Sequence, residues 1–322
     1  MDEAVLVGDV GGTNARFAMA YRRGDWIRIE QFARYAGADF PDFDAALESY
    51  LGKTGLRPGS ACIAVAGPVR GGKAQLTNRD WSISEEDVSE RFGIARVLVV
   101  NDFVAMARSV PELEPDAFSV ILEGTPVAGA PIVVAGPGTG FGVSTLIPST
   151  VGWTVLAGEG GHIAYAPRTE LERNLARLLA RDHGYVSNEL VASGSGLEEV
   201  HAAFCEIHGR PYAEMSPAGM RVRADGGDAM YKALIQMRAL AVMGAVGDLA
   251  LANGALGGVV LAGGVSERIA DFLKTPEARE RFVSRGPMSG YLADCPVRLL
   301  HEATAPLIGA AAYFVQVRAA GA

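Results

Sequence analysis

The chain is poor in cysteine, with three in 322 residues: Cys62, Cys205 and Cys295, far apart and without a Cys-x-x-Cys pair. That spacing offers no zinc site. Three scattered thiols fit buried side chains in a reducing compartment better than a disulfide framework. Positive charge is also short. The net charge of −8 provides none of the basic surface that nucleic acid requires. No apolar targeting run opens the chain: Asp2 and Glu3 precede a strand starting near residue 4, which reads as no signal peptide. One apolar stretch, ALAVMGAVGDLALANGAL at 239–256, is long enough to raise a membrane span. It carries Asp248 and Asn253 and follows a polar helical stretch, so a buried core helix and no membrane contact are expected.

Hydrophobic residues make up 49% and charged residues 20%, the balance of a globular chain long enough for two domains or one large one. The 40 glycines cluster beside apolar runs, as tight turns at strand ends require. Strands are predicted at 4–10, 15–20, near 26–32, at 60–67 and at 96–100. The last is a continuous apolar run read as parallel and central. Helices are predicted at 42–51 and at 82–93, where Ser82 and Glu85 give a Ser-x-x-Glu capping signal. PELEPDAF (111–118) is rich in proline and acid and reads as a crossing between domains. Then 131–147 repeats the opening design of apolar strand, glycine-rich turn and apolar strand. Helices follow at 169–184, 195–209 and 226–254, a buried strand at 257–266 and a closing helix at 304–320. Two strand–glycine–strand units, beginning near residues 4 and 131, make a weak internal duplication.

GDVGGTN (8–14) contains no lysine, which excludes a P-loop. It runs into ARFAMA, a strand rather than a helix, which excludes a dinucleotide fingerprint. Its chemistry still suits phosphate: glycines let N–H groups converge, Thr13 and Asn14 add side-chain bonds, and Asp9 can hold magnesium through water. An ordinary hairpin turn fits the same residues. GPGTGFG (136–142) fits a plain turn, but two such hairpins at the heads of matching segments favour phosphate contact. Asn101-Asp102-Phe103 follows a buried strand, where a carboxylate can accept a substrate proton or Asn and Asp can cap a helix. GEGGHIAY (158–165) sets Glu159 and His162 around two glycines on a predicted loop, suited to sugar hydroxyls; a capped turn or a metal site are the other readings. NELVASGSG (188–196) offers Glu189, otherwise an exposed helix acid. LAGGV (261–265) reads as a strand-to-helix turn near a flat ligand.

In order and spacing, GDVGGTNAR, TNRDW (77–81), NDF, GPGTGFG, GEGGH, VSNELVASG and AGGV resemble the bacterial glucokinase family, over nearly the whole chain. The resemblance implies an α/β chain of two ribonuclease H-like domains, the actin-like ATPase fold, with a central cleft closing on ATP and sugar. It places a small domain at 1–110 plus 303–322 and a large one at 111–302. The related repressor-and-kinase sugar family has a similar histidine loop followed by a cysteine-rich zinc motif, which is missing here. Its repressors carry an N-terminal helix-turn-helix, for which the loop at residue 8 leaves no room. By resemblance, Gly8, Asp9, Val10, Gly11, Gly12, Thr13 and Asn14 form the first phosphate loop. Gly138, Thr139 and Gly140 lie in the second, and Gly263 and Gly264 near the adenosine. Asn101, Asp102, Glu159, His162 and Glu189 surround glucose with Asp102 as base, and Asn78 assists. The implied reaction is phosphorylation of D-glucose by ATP with Mg2+, in the cytoplasm, by a homodimer. The same motifs would serve a fructose or mannose kinase, or a non-catalytic sugar sensor, although Asp102 and both phosphate loops argue against the sensor.

Overall fold

The protein is described here by a computed structural model covering residues 4–24, 26–76, 79–150 and 152–320. It divides into two compact units. The first is Met1–Ala117 with Val155–Ala157 and Glu302–Ala322; the second is Phe118–Thr154 with Gly158–His301.

In the first unit, β1 (Ala4–Val10), β2 (Asn14–Arg23) and β3 (Trp26–Ala36) form an antiparallel meander. β4 (Ser60–Val65) and β8 (Arg96–Asn101) add in parallel, giving the order β3-β2-β1-β4-β8. A small separate sheet holds β5 (Val69–Arg70), β6 (Lys73–Gln75) and β7 (Ser82–Ser84). Period-2 alternation splits the main sheet's side chains between two cores. Leu6, Phe17 and Ile63 pack on one side with α1 (Phe43–Thr54), where Phe17 meets Phe43 and Tyr50 ring to ring. Val5, Val7 and Cys62 pack on the other with the C-terminal helix Ala305–Ala320 and α3 (Asp102–Ser109).

Three expectations need correction here. β8 is parallel but lies at the sheet edge. Its unbroken apolar run reflects burial on both faces, Val97 and Val99 in one core and Val100 in the other, not strands on both sides. Ser82 is not the helix cap: it belongs to β7, and α2 (Glu85–Phe92) is capped by Ser84, which accepts the Asp87 N–H. The third strand runs on to Ala36 through an irregularity in its pairing with β2, where Gln31 has φ 52°.

The second unit repeats the plan. β9 (Phe118–Leu122) is followed by β10 (Ile132–Pro137), β11 (Phe141–Ser149) and β12 (Gly152–Gly158), then by β13 (Gly258–Leu261) and β14 (Val297–Leu300). The order is β12-β11-β10-β13-β14-β9, so its first five strands match the first unit's order, with β9 as an extra antiparallel edge. The duplication seen as two glycine-rich runs is therefore one of topology. α4 (Glu170–His183) opens on a Thr169–Glu172 capping box. Next come α5 (Asn188–Ala192), α6 (Leu197–Ile207), α7 (Pro217–Asp225) and α8 (Ala229–Asn253). α9 (Gly264–Arg268) follows β13, and three short helices lie between 270 and 292. α8 is long and apolar enough to cross a membrane, but 78% of its most apolar window is buried within the protein. It is the expected core helix.

Candidate active site

The first glycine run is the turn between β1 and β2. Val10 pairs with Ala15, and the Gly11 N–H closes the turn on the Asn14 carbonyl at 2.9 Å. Side chains from the same unit hold it in place. Arg79 donates to the Gly12 carbonyl at 3.1 Å and also to the Gly37 carbonyl, while the Gly37 N–H reaches the Thr13 carbonyl at 2.9 Å. Arg34 donates to the Asn14 side chain at 2.9 Å. A Cβ on Gly11 would meet nothing nearer than 3.9 Å, so the turn presents open backbone. Asp9 points out of β1 beside Arg16, at 3.5 Å. Burial raises its pKa above the usual carboxylate range, with Arg16 opposing that rise.

Val10 and Asn101 are both in register with Val65. At about 4.8 Å between strands, the hairpin and the end of β8 lie roughly 10 Å apart on one sheet edge. That is the carboxyl end, where ligands of α/β sheets bind. Asn101 caps α3 by accepting the Phe103 N–H at 2.9 Å and donates to the Gly67 carbonyl at 3.0 Å. Asp102 is the first helical residue, with one carboxylate oxygen 3.0 Å from the same N–H. The capping reading thus applies to Asn101, which leaves Asp102 a place in the first turn. Asn78 lies outside the described residues.

In the second unit, Gly138, Thr139 and Gly140 turn between β10 and β11, closed by Gly138 N–H to the Gly140 carbonyl at 2.8 Å. The segment after α5 grips this turn: Gly194 and Ser195 donate their N–H groups to the carbonyls of Gly138 and Thr139 at 2.8 and 2.9 Å. Gly263, at φ +86°, passes behind, where a Cβ would stand 2.9 Å from the Pro137 carbonyl. Gly264 then begins α9.

GEGGH was expected to be a loop, and it contains one 3-10 turn, Gly160–His162, with Glu159 at its N-terminal boundary. Two glycines suffice there because the turn presses on β11: a Cβ on Gly161 would overlap the Phe141 carbonyl oxygen at 2.1 Å. Glu189 joins the two loops. One of its oxygens accepts the Phe141 N–H at 2.7 Å; the other lies 3.7 Å from His162 Nε2. It is not an exposed helix acid, its side chain being 25% exposed against 58% for His162. The sequence reading passed over Arg79, Gly194 and Ser195. Arg79 stands next to Asn78 in TNRDW, and the Ser-Gly run reads locally only as a setting for Glu189.

Among the described residues, no group of three or more His, Cys, Asp or Glu side chains could hold a metal. The glucokinase family model matches residues 6–317. A glucokinase of Chromobacterium violaceum is 39% identical over 310 residues, 96% of this chain and 88% of that protein. The crystal structure of a glucokinase from an Antarctic psychrotroph superposes with TM-score 0.86 at 36% identity, covering 97% of this chain and 99% of that one. A ROK family glucokinase from Streptomyces griseus, solved in complex with glucose and AMPPNP, shares the fold at TM-score 0.63 and 19% identity, over 96% and 98% of the two chains.

Proposed function

Since the chain belongs to the glucokinase family, we infer that it transfers the γ-phosphoryl group of ATP to D-glucose, giving ADP and glucose 6-phosphate. The observation that carries the residue assignment is the repeated sheet order. Each unit places a glycine hairpin at the equivalent antiparallel pair of its sheet, β1–β2 and β10–β11, and in the first unit Asn101-Asp102 ends a strand at the same, carboxyl end of the sheet.

Asp102 takes the proton from the glucose 6-hydroxyl as that oxygen attacks the γ-phosphorus. Asn101, Glu159, His162 and Glu189 bind the sugar hydroxyls, with Asn78 as a further contact. Hydrogen bonds of this kind discriminate strongly, because a missing hydroxyl leaves its buried partner unpaired. The turns within 8–14 and 138–140 receive the phosphates through N–H groups other than those of Gly11 and Gly138, which close the turns, and Gly263 and Gly264 border the adenosine. No lysine is needed where backbone dipoles and a metal share the charge. The residues fit Mg2+, which keeps most of its waters and takes one or two carboxylates beside the phosphates. Asp9 is the single carboxylate at the first hairpin, and Arg16 only partly offsets the cost of burying its charge, which favours a further cation. When bound, Mg2+ offsets the phosphate charge. We place the enzyme in the cytoplasm, as a homodimer by family analogy.

The test is a coupled assay with Mg-ATP and a hexose panel. The reading predicts the highest kcat/KM with glucose. A higher value with fructose or mannose would reassign the substrate, and tight glucose binding without turnover would make the protein a sensor.

A further inference from the structure

The run Ser193-Gly194-Ser195-Gly196 has a contact beneath it that no role yet explains. Arg238, on α8, is 5% exposed. Its terminal nitrogen donates to the carbonyls of Ala192 and Ser193 at 2.9 and 2.6 Å. Those carbonyls end α5, where helix geometry leaves backbone oxygens without partners and the helix dipole is negative. Burial lowers the guanidinium pKa to about 10, and no carboxylate contributes an opposing rise. Its Nε has no hydrogen-bond partner among the described residues. A buried cation held, among the described residues, by carbonyl oxygens alone is expensive to keep, and an apolar side chain would fill the same space at less cost.

The position of those two carbonyls is what the cation secures. The next two residues, Gly194 and Ser195, present the N–H groups that hold Gly138 and Thr139, and the hydroxyls of Ser193 and Ser195 lie 2.9 Å apart across the turn. A run of short contacts therefore leads from α8 to the second glycine hairpin, all within one unit. We propose that Arg238 is a positioning residue for the donor site, fixing the 192–195 turn so that the second hairpin keeps the shape that receives the nucleotide's phosphates. This rests on the assignment of Gly138–Gly140 to the donor made above. Arg238 holds the end of α5 next to Gly194 and Ser195 and three to four residues past Glu189, so its effect should fall more on nucleotide than on glucose.

Three variants test this: Arg238→Met, Arg238→Lys and Gly194→Ala. The last pushes on the hairpin from the other end of the chain of contacts, since its Cβ would stand 2.9 Å from the Gly138 carbonyl oxygen. The readouts are KM for ATP, KM for glucose, AMPPNP affinity by titration and Tm. Arg238→Met should raise the ATP KM and the AMPPNP Kd about 10-fold or more, with glucose KM changed less than about threefold. Arg238→Lys, which keeps the charge and a donor, should recover part of that loss. Gly194→Ala should raise the ATP KM roughly 3- to 10-fold on an otherwise stable protein. An AMPPNP Kd within about twofold of wild type in folded Arg238→Met, or glucose and ATP KM rising in parallel, would overturn the proposal. If Arg238→Met does not fold, Arg238→Lys and Gly194→Ala decide by the same criterion. Wild type that binds AMPPNP but does not phosphorylate glucose would refute the glucokinase reading, while the titrations would still report on Arg238.

Discussion

The two glycine hairpins occupy the same place in the same strand order, yet they are held by different means. The first is braced from the side by arginines: Arg79 on Gly12 and Arg34 on Asn14. Its turn keeps open space around Gly11. The second is held by neighbouring backbone, the N–H groups of Gly194 and Ser195, and by Glu189 on Phe141. Topology fixes where a phosphate hairpin goes, and local sequence decides what it is coupled to. The first hairpin's contacts lead to other backbone carbonyls and a polar side chain of its own unit. Those of the second lead on one side to Gly194 and Ser195 and on the other, through Phe141, to Glu189, a sugar candidate, so a disturbance on the Glu189 side should reach both substrates.

The largest effect on stability is expected where backbone meets backbone. Gly161→Ala puts a Cβ 2.1 Å from the Phe141 carbonyl oxygen, and neither group can yield without moving β11 or the 159–162 turn. Overpacking of this kind should cost about 3 kcal/mol. That corresponds to a Tm loss of roughly 6–12 °C for a unit of this size, read in a thermal melt. An unchanged Tm would mean that the sugar loop sits away from the second hairpin.

Paired alanine variants sharpen the comparison at smaller cost. In Gly140→Ala the new Cβ would stand 2.8 Å from the Glu189 oxygen that holds the Phe141 N–H. Both the ATP and the glucose KM should rise, each roughly 10-fold, as expected for a displacement of part of an ångström in a binding group. Gly11→Ala meets no atom nearer than 3.9 Å, so Tm and glucose KM should stay at wild-type values. Only the ATP KM should rise, about 10-fold, because the methyl group obstructs the approach of phosphate to the turn. Equal effects of the two variants on glucose would remove the distinction between the hairpins.

How much of this was legible in the sequence follows the same division. Short-range chemistry could be read directly. The hairpin turns were visible in their glycines, the helix at 169–184 in its sequence, and the core placement of α8 in Asp248, Asn253 and the polar stretch before them. Lateral order could not be read. Val97 to Val100 look alike in a central strand and in an edge strand covered by helices, so an edge strand reads as a central one. Ser82 and Ser84 are both capping residues by type, and the bond from the Asp87 N–H to the Ser84 hydroxyl decides between them. Among the site candidates, Glu189 was visible only as an acid near a Ser-Gly run. Its contact with Phe141 spans 48 positions, and no local pattern reports such a distance.

The smallest effect concerns Asp9. Burial raises its pKa in the folded state, so between the ordinary carboxylate pKa and the folded value the native protein binds more protons than the unfolded chain. Stability contributed by this group is therefore lost as pH rises through that window and stays lost above it. Without nucleotide, Asp9→Asn should raise Tm at neutral pH, and the gain should vanish below the ordinary carboxylate range. Melts from acid to neutral pH would show this. A Tm for Asp9→Asn below wild type at neutral pH would mean that the ion pair with Arg16 outweighs burial.

The account depends most directly on Asp102 as the base. Asn101 already caps α3, so Asp102→Asn should preserve the fold and much of the glucose affinity, since asparagine still hydrogen-bonds but cannot take a proton at neutral pH. The measurement is kcat of Asp102→Asn at saturating Mg-ATP and glucose, with glucose affinity titrated on the same preparation. The account predicts a fall in kcat of roughly 10²–10⁴-fold, the range for loss of a positioned general base, with glucose still bound. A kcat near the wild-type value would contradict it and remove Asp102 from the chemistry.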